Sequence, residues 1–283
     1  MDWRMFLKKL KEPLDQAGRL ARVMQADIVA KNKSPDSPQQ VSTVVTMVDL
    51  LVQDILFLHL AHQDYKFDFY SEELASIPEE LKHLLQGCFT KDSRYLFFLD
   101  PIDGTIEYVN QGDKYSIMGG VLDKESGRVA CSFIYFPATS TYYYAIRNKG
   151  VWVQIAPGQQ RIMGVSTPSR LGRPMQLSVP RYKRLLDSDF RFFRERGLQP
   201  VAEPHHAGGA LADAAIRGAY KLVVMRDFHG HDTAPASLFF EELGGGAFGE
   251  DGNPITFPVD MRRLPVVAFS HDKILARDAA MHK

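Results

Sequence analysis

Apolar residues recur every three or four positions at the start of the chain. Trp3, Phe6, Leu7, Leu10, Leu14, Ala17, Ala21, Met24 and Ile28 follow this spacing, which predicts a helix with one buried stripe. Pro13 predicts a kink or a restart within it. The polar stretch KNKSPDSPQQ reads as a loop. Beyond it Val48, Leu51, Val52, Ile55, Leu56 and His59 share the face of a second helix, with Asp49 off the centre of that stripe. The period then shortens. KFDFYSEE alternates like a short strand that ends in two acids, and YLFFLDP reads as a buried strand stopped by Pro101. YSIMGGVLD, RVACSFIYF and TYYYAIR are β-rich runs separated by the turn signals KESG and PATS, which predicts an antiparallel meander. After a loop at APGQQ, helix and strand alternate more regularly. GGALADAAIRGA reads as a helix, YKLVVM as a buried strand, and DTAPASLFFEELGGG as a helix capped by Asp232 and ended by glycines. The predicted organisation is an α+β domain over residues 1–152 and an α/β domain over 153–283, with no internal repeat.

Composition narrows the possibilities. The 283 residues suffice for a large core, and 45% hydrophobic with 24% charged residues is ordinary for a globular protein. Lys+Arg and Asp+Glu both total 34, so no global field recruits a nucleic-acid polymer or a membrane surface. An anionic partner must be held by local chemistry. Cys88 and Cys131 are too few for a disulfide scaffold and lack metal-ligand spacing, so a reducing cytoplasm is expected. The N-terminus mixes charges through its apolar residues, and no run approaches about 18 apolar residues, which predicts neither export nor a membrane span.

The candidate chemistry sits where strands end in carboxylates. Asp100 and Asp103 follow the apolar block before Pro101, at the kind of strand end where open α/β sheets bind ligands. Two carboxylates this close repel each other and raise one pKa unless a cation lies between them. Gly104 lets backbone approach a ligand, Thr105 offers a hydroxyl where a helix begins, and backbone N–H groups at such a start cradle phosphate. Hard oxygen ligands favour Mg²⁺, Mn²⁺ or Ca²⁺ over zinc, and Mg²⁺ commonly joins carboxylates to a substrate phosphate. Asp-Pro and Asp-Gly are also common turn spellings, so this stretch alone leaves a purely structural reading equally open.

Four ordered segments together go further. DPIDGTIEY is similar to the D-P-[IL]-D-G-T signature of the inositol monophosphatase family of magnesium-dependent, lithium-sensitive phosphatases. The SEEL of Ser71 to Leu74, the VTMVD of Val45 to Asp49 and the HDTA of His231 to Ala234 resemble that family's upstream acid pair, V-T-x-x-D segment and W-D-x-A motif. The resemblance implies a layered αβαβα sandwich of the sugar-phosphatase type. It further implies that Glu72, Asp100, Asp103, Asp232 and the carbonyl of Ile102 hold two or three Mg²⁺ ions, Asp100 bridging two. Asp49 and Thr105 then position and polarise the attacking water, with Glu72 holding it through a metal. Asp103, Asp232 and the amides of Gly104 and Thr105 meet the substrate. The implied activity is metal-dependent hydrolysis of a small inositol or sugar phosphate, by a cytoplasmic homodimer inhibited by lithium.

Several residues depart from the family pattern. His231 stands where a Trp is usual, Pro235 follows Ala234, and Gln53 replaces an acid. Val224 and Met225 lie near the place where inositol-specific members carry an acidic residue. IEYVNQG and SEE lean towards 3′(2′),5′-bisphosphate nucleotidases acting on 3′-phosphoadenosine 5′-phosphate, while PRYKR at Pro180 to Arg184 reads first as a solvated basic loop and second as a contact for a second phosphate. Two rivals carry less weight. HGHD with His205 and His206 invites a zinc hydrolase, but the spacing matches no zinc signature that also explains DPIDGT. A catalytically silent binder of a phosphorylated ligand conflicts with the survival of every implied metal and water-positioning residue. Glu79, Glu80, Glu241 and Glu242 read as helix-surface acids, and Tyr142 to Tyr144 as strand packing.

Overall fold

The structure is a computed structural model. It describes residues 1–32, 38–63, 65–73, 92–156, 159–163, 176–180, 187–203, 208–216 and 220–282. Helix α1 (Trp3–Asn32) runs through Pro13 without a break, and Asp2 accepts the N–H groups of Arg4 and Met5 at its start. Helix α2 (Pro38–Ala61) takes up the end of the stretch read as a loop. Strand β1 (Asp68–Ser71) lies parallel to β2 (Tyr95–Asp103), and the sheet continues as an antiparallel meander through β3 (Ser116–Asp123), β4 (Arg128–Phe136), β5 (Thr141–Ile146), β6 (Gly150–Ala156) and β7 (Gln159–Met163). The short helix α3 (Thr105–Val109) follows β2. Of the APGQQ stretch, Ala156 closes β6, Gln159 and Gln160 open β7, and Pro157 and Gly158 lie outside the described residues.

A second sheet has the order β11-β12-β10-β8-β9. It is formed by β8 (Gln176–Pro180), β9 (Gln199–Glu203), β10 (Leu222–His229), β11 (Gly246–Gly249) and β12 (Arg263–Ser270). Helices α4 (Asp187–Glu195), α5 (Gly208–Ile216), α6 (Gly230–Glu242) and α7 (Lys273–Met281) accompany it.

Strand alternation builds the layers. Phe97 and Leu99 of β2 join α1 and α2 in one core, while Leu96 and Phe98 face the other way, towards α6. Val223 and Met225 of β10 share that middle core with Leu238 and Phe239 of α6, whereas Leu222 and Val224 pack with α4 and α7 on the far side. Because successive side chains of a strand point to opposite faces, each sheet is covered on both sides. Helices, sheet, helices, sheet and helices thus alternate in five layers, the αβαβα sandwich expected from the sequence.

Two local readings change. The buried strip of α2 is Val48, Asp49, Val52, Gln53, Leu56, Phe57 and Leu60, while Leu51 is exposed, so Asp49 lies within the buried face. Strand β2 does not stop at Pro101. It continues to Asp103 with a register irregularity between Asp100, paired with Met118, and Asp103, paired with Ser116. Proline lacks the N–H a ladder needs, and a bulge absorbs the gap without ending the strand.

Candidate active site

The four carboxylates predicted to act together come from the end of β1, from β2 and from α6. Glu72 directly follows β1 and its N–H donates to the Leu99 carbonyl at 3.2 Å, which sets it beside Asp100 of the parallel neighbour β2. Asp103 closes β2. Gly104, at φ 85° and ψ 44°, turns the chain into α3, a left-handed conformation that glycine adopts without steric penalty. Asp232 comes from the first turn of α6. It is not the N-cap: His229 is, and Asp232 is the third helical residue, whose Oδ2 accepts the His229 N–H at 3.0 Å. Acids are favoured in that turn by the helix dipole.

The ligand atoms of Asp100, Asp103 and Asp232 lie within 4.8 Å of one another, and so do those of Glu72, Asp100 and His231. Asp100 belongs to both groups. It is 2% exposed and its Oδ1 has no hydrogen-bond partner. Burial, followed by the charges of Glu72, Asp103, Asp232 and Asp49, pushes its carboxyl far above the usual range. Burial and the neighbouring Asp232, Glu73 and Asp103 bring Glu72 up to about 7. Burial with Glu72 and Glu73 nearby takes Asp49 to about 8. Among the described residues, no lysine or arginine forms an ion pair with Glu72, Asp100, Asp103 or Asp232. An anionic donor set with one buried, orphaned oxygen fits hard divalent cations.

Asp103 has a second task. Its Oδ1 accepts the Gly208 N–H at 2.8 Å, and its Oδ2 accepts the Gly209 N–H at 2.7 Å and the Ser116 hydroxyl at 3.0 Å. These bonds work against burial, which still raises its carboxyl to about 7. The end of β2 is thereby tied to the start of α5. Gly208 is required there, because a Cβ would stand 2.4 Å from the Asp232 carbonyl oxygen. Sequence reasoning missed Ser116, Gly208 and Gly209, although the paired glycines opening an Ala-rich helix were a usable signal.

The other implied residues are placed as follows. Ile102 is buried, and its carbonyl accepts the Thr105 hydroxyl at 3.3 Å. Thr105 is exposed at the start of α3, against which α2 packs. His231, read in the sequence as a departure from the family motif and as part of a zinc reading, is 2% exposed, and its Nδ1 lies 3.1 Å from the Tyr70 hydroxyl. Burial pushes its ring down to about 4. Its Nε2 lies 3.6 Å from Asp232 Oδ1 and 4.0 Å from Glu72 Oε2. Glu241 and Glu242 are not surface acids: Glu241 pairs with Arg128 and Arg147, and Glu242 is buried against backbone amides. Tyr142 and Tyr144 are strand packing as read, and Tyr144 stacks on Trp152. Leu74, Glu79, Glu80, Cys88, His205, His206 and residues 181–184 of PRYKR lie outside the described residues. Among the described residues, no helix is long and apolar enough to cross a membrane.

Comparison with known proteins bears on the whole chain. The pattern of the inositol monophosphatase family matches residues 10–281. The 3′(2′),5′-bisphosphate nucleotidase CysQ of Haemophilus influenzae is 24% identical over 220 residues, covering 76% of each chain. Inositol monophosphatase II from Staphylococcus aureus has a similar structure, with a TM-score of 0.69 at 15% identity over 98% of this chain and 95% of that one. So does CysQ from Bacteroides thetaiotaomicron, with a TM-score of 0.67 at 12% identity over 93% and 96%. Four acids, Glu72 after β1, Asp100 and Asp103 of β2 and Asp232 of α6, converge within a match that spans nearly the full sequence, and the chain belongs to the inositol monophosphatase family, a family of metal-dependent phosphatases.

Proposed function

We propose that the chain is a magnesium-dependent phosphomonoesterase that hydrolyses a small phosphate ester such as an inositol or sugar phosphate. The observation that carries this reading is Asp100, wholly buried, with an unpartnered oxygen and ringed by Glu72, Asp103 and Asp232. A carboxylate left so is costly unless something positive completes it. Those four side chains and the Ile102 carbonyl would hold two or three Mg²⁺ ions, which when bound offset the charge of the phosphate and acidify water.

The chain's own groups supply the rest. Asp49, on the buried face of α2, would accept a proton from the attacking water, with the Thr105 hydroxyl orienting that water. The amides of Gly104 and Thr105 would donate to phosphate oxygens, and Asp103 and Asp232 would border the substrate. Water oxygen bonds to phosphorus, the ester P–O bond breaks, and the leaving alkoxide takes up a proton. No covalent enzyme intermediate is needed. Lithium inhibition and a homodimer follow from the same family reading, and a cytoplasmic setting from the sparse cysteines.

A second reading is a 3′(2′),5′-bisphosphate nucleotidase, favoured by the H. influenzae relative and by the IEYVNQG spelling. One experiment separates the readings: phosphate release from inositol phosphates, sugar phosphates and 3′-phosphoadenosine 5′-phosphate, with Mg²⁺ or EDTA, beside Asp100→Asn. Asp100 is the cleaner control because Asp103 also anchors the start of α5. We expect Mg²⁺-dependent release that falls by at least about a hundredfold in the variant. Release that persists in EDTA would sink the mechanism, and binding without turnover would make the chain a silent phospho-ligand binder.

A further inference from the structure

We propose that His231 Nε2 is a nitrogen ligand in a cation site shared with Glu72 and Asp100, so that this site takes a borderline cation such as Mn²⁺, Co²⁺ or Zn²⁺ beside an oxygen-held site of Asp100, Asp103 and Asp232. The inference rests on the cation-dependent reading given above and concerns which atoms hold the cation.

Three observations carry it. The ligand atoms of Glu72, Asp100 and His231 lie within 4.8 Å of one another, and the buried Oδ1 of Asp100 has no partner. The imidazole is held from three sides. Its Nδ1 meets the Tyr70 hydroxyl at 3.1 Å, the Tyr70 ring stacks on it with centroids 5.5 Å apart, and His229 stacks with centroids 5.1 Å apart. Finally, Nε2 is 3.6 Å from Asp232 Oδ1 and 4.0 Å from Glu72 Oε2, too far for direct hydrogen bonds.

In the tautomer protonated at Nδ1, the ring donates to the Tyr70 hydroxyl and presents the Nε2 lone pair to the carboxylates, the outer-sphere arrangement that usually orients a ligating histidine. Tryptophan, the residue usual at this position in the sequences that the chain resembles, cannot do this, because indole offers only a donor. Imidazole nitrogen favours Mn²⁺, Co²⁺ and Zn²⁺ increasingly over oxygen-preferring Mg²⁺. The substitution therefore changes the donor chemistry of the site while keeping an aromatic ring in the stack.

The test is pulsed electron paramagnetic resonance of the full chain loaded with Mn²⁺. Electron spin-echo modulation from a directly bound ¹⁴N is expected, absent from His231→Asn and His231→Trp and retained in His229→Asn. In both His231 variants, Zn²⁺ affinity by competition titration is expected to fall at least about tenfold, while Mg²⁺ affinity changes less than about twofold. Mn²⁺ that binds without nitrogen coupling overturns the inference and leaves the oxygen site standing. Failure to bind Mn²⁺ at all overturns both. Should either variant fail to fold, ¹⁵N-histidine labelling of the unsubstituted protein provides the same readout, and an unchanged spectrum refutes the proposal.

Discussion

The two ends of α6 both gather carboxylates, and they treat them in opposite ways. At the C-terminal end, Glu241 pairs with Arg128 at 2.9 Å and Arg147 at 2.7 Å, and Glu242 accepts the N–H groups of Asn148 at 2.7 Å and Gly150 at 2.8 Å. Acids oppose the dipole there, and the protein supplies cations and amides to offset them. At the N-terminal end, Asp232 meets Glu72, Asp100 and Asp103 with the dipole in its favour. Among the described residues no lysine or arginine pairs with any of these four acids. A chain able to neutralise acids at one end of a helix leaves them exposed to one another at the other end. Repulsion left in place is a mark of function, because it costs stability and is relieved only by something that binds.

The largest expected difference between the ends is in activity. Glu72→Gln removes a charge from the group completed from outside, and phosphate release is expected to fall by at least about a hundredfold. Glu241→Gln alters the group completed from within and should leave release within about twofold. Equal losses in a kcat/KM comparison would break the distinction.

Stability should respond in the opposite order. Glu242→Ala strips the acceptor from two amides of the β5–β6 turn, where Asn148 at φ 61° and Gly150 at φ 96° are both left-handed. Two donors without partners cost about 2–3 kcal/mol, measurable by urea unfolding, and activity per folded molecule should not change. A loss below about 0.5 kcal/mol would show that water replaces the carboxylate.

The fold was legible because its layers are written in periods of two and of three to four residues. The alternation of Phe97 and Leu99 against Leu96 and Phe98, and the meander after Tyr115, are each visible in a dozen residues. The carboxylates were legible for a different reason: VTMVD, SEEL, DPIDGT and HDTA follow one another in the order of a known family's motifs, although the Asp-Pro and Asp-Gly spellings alone left a turn equally open. What the sequence hid depends on contacts between distant segments. Asp103 meeting Gly208 and Gly209, about a hundred residues away, has no local signature. Glu241 and Glu242 read as surface acids because Arg128, Arg147, Asn148 and Gly150 lie on other strands and turns. Asp49 looked marginal to its stripe because helical periodicity cannot tell a buried carboxylate from one at the edge.

The pH dependence of stability sharpens the comparison. In the absence of cations, the folded protein holds Glu72 and Asp103 at about 7 and Asp49 at about 8, above the unfolded values near 4. Each group binds its proton more tightly when folded. Its stabilising contribution is complete below about pH 4 and is lost as pH rises through the folded values. In EDTA the melting temperature should therefore decline between about pH 5 and pH 8, and saturating Mg²⁺ should flatten that decline, by favouring the ionised carboxylates. A melting temperature that climbs across this window in EDTA would mean that the acids are already offset by groups of the protein.

The smallest effect lies in the arginines at the C-terminal end, and their inequality is informative. Arg128 contributes one charged contact to Glu241 and its side chain is 31% exposed, so Arg128→Ala should cost under about 1 kcal/mol, as exposed pairs do. Arg147 pairs with the other carboxylate oxygen and also donates from Nε to the Val129 carbonyl at 2.6 Å. Arg147→Ala should therefore cost more, about 1–2 kcal/mol, because a backbone acceptor loses its partner as well. With Arg128 gone, Arg147 still holds Glu241, so the end of α6 stays neutralised and its stability should gain nothing from added Mg²⁺. A Mg²⁺-induced rise in the melting temperature of Arg128→Ala larger than that of the unsubstituted protein would show that any acid pair on this helix recruits a cation once an arginine is removed. The shared geometry of Glu72, Asp100, Asp103 and Asp232 would then explain less than their lack of partners.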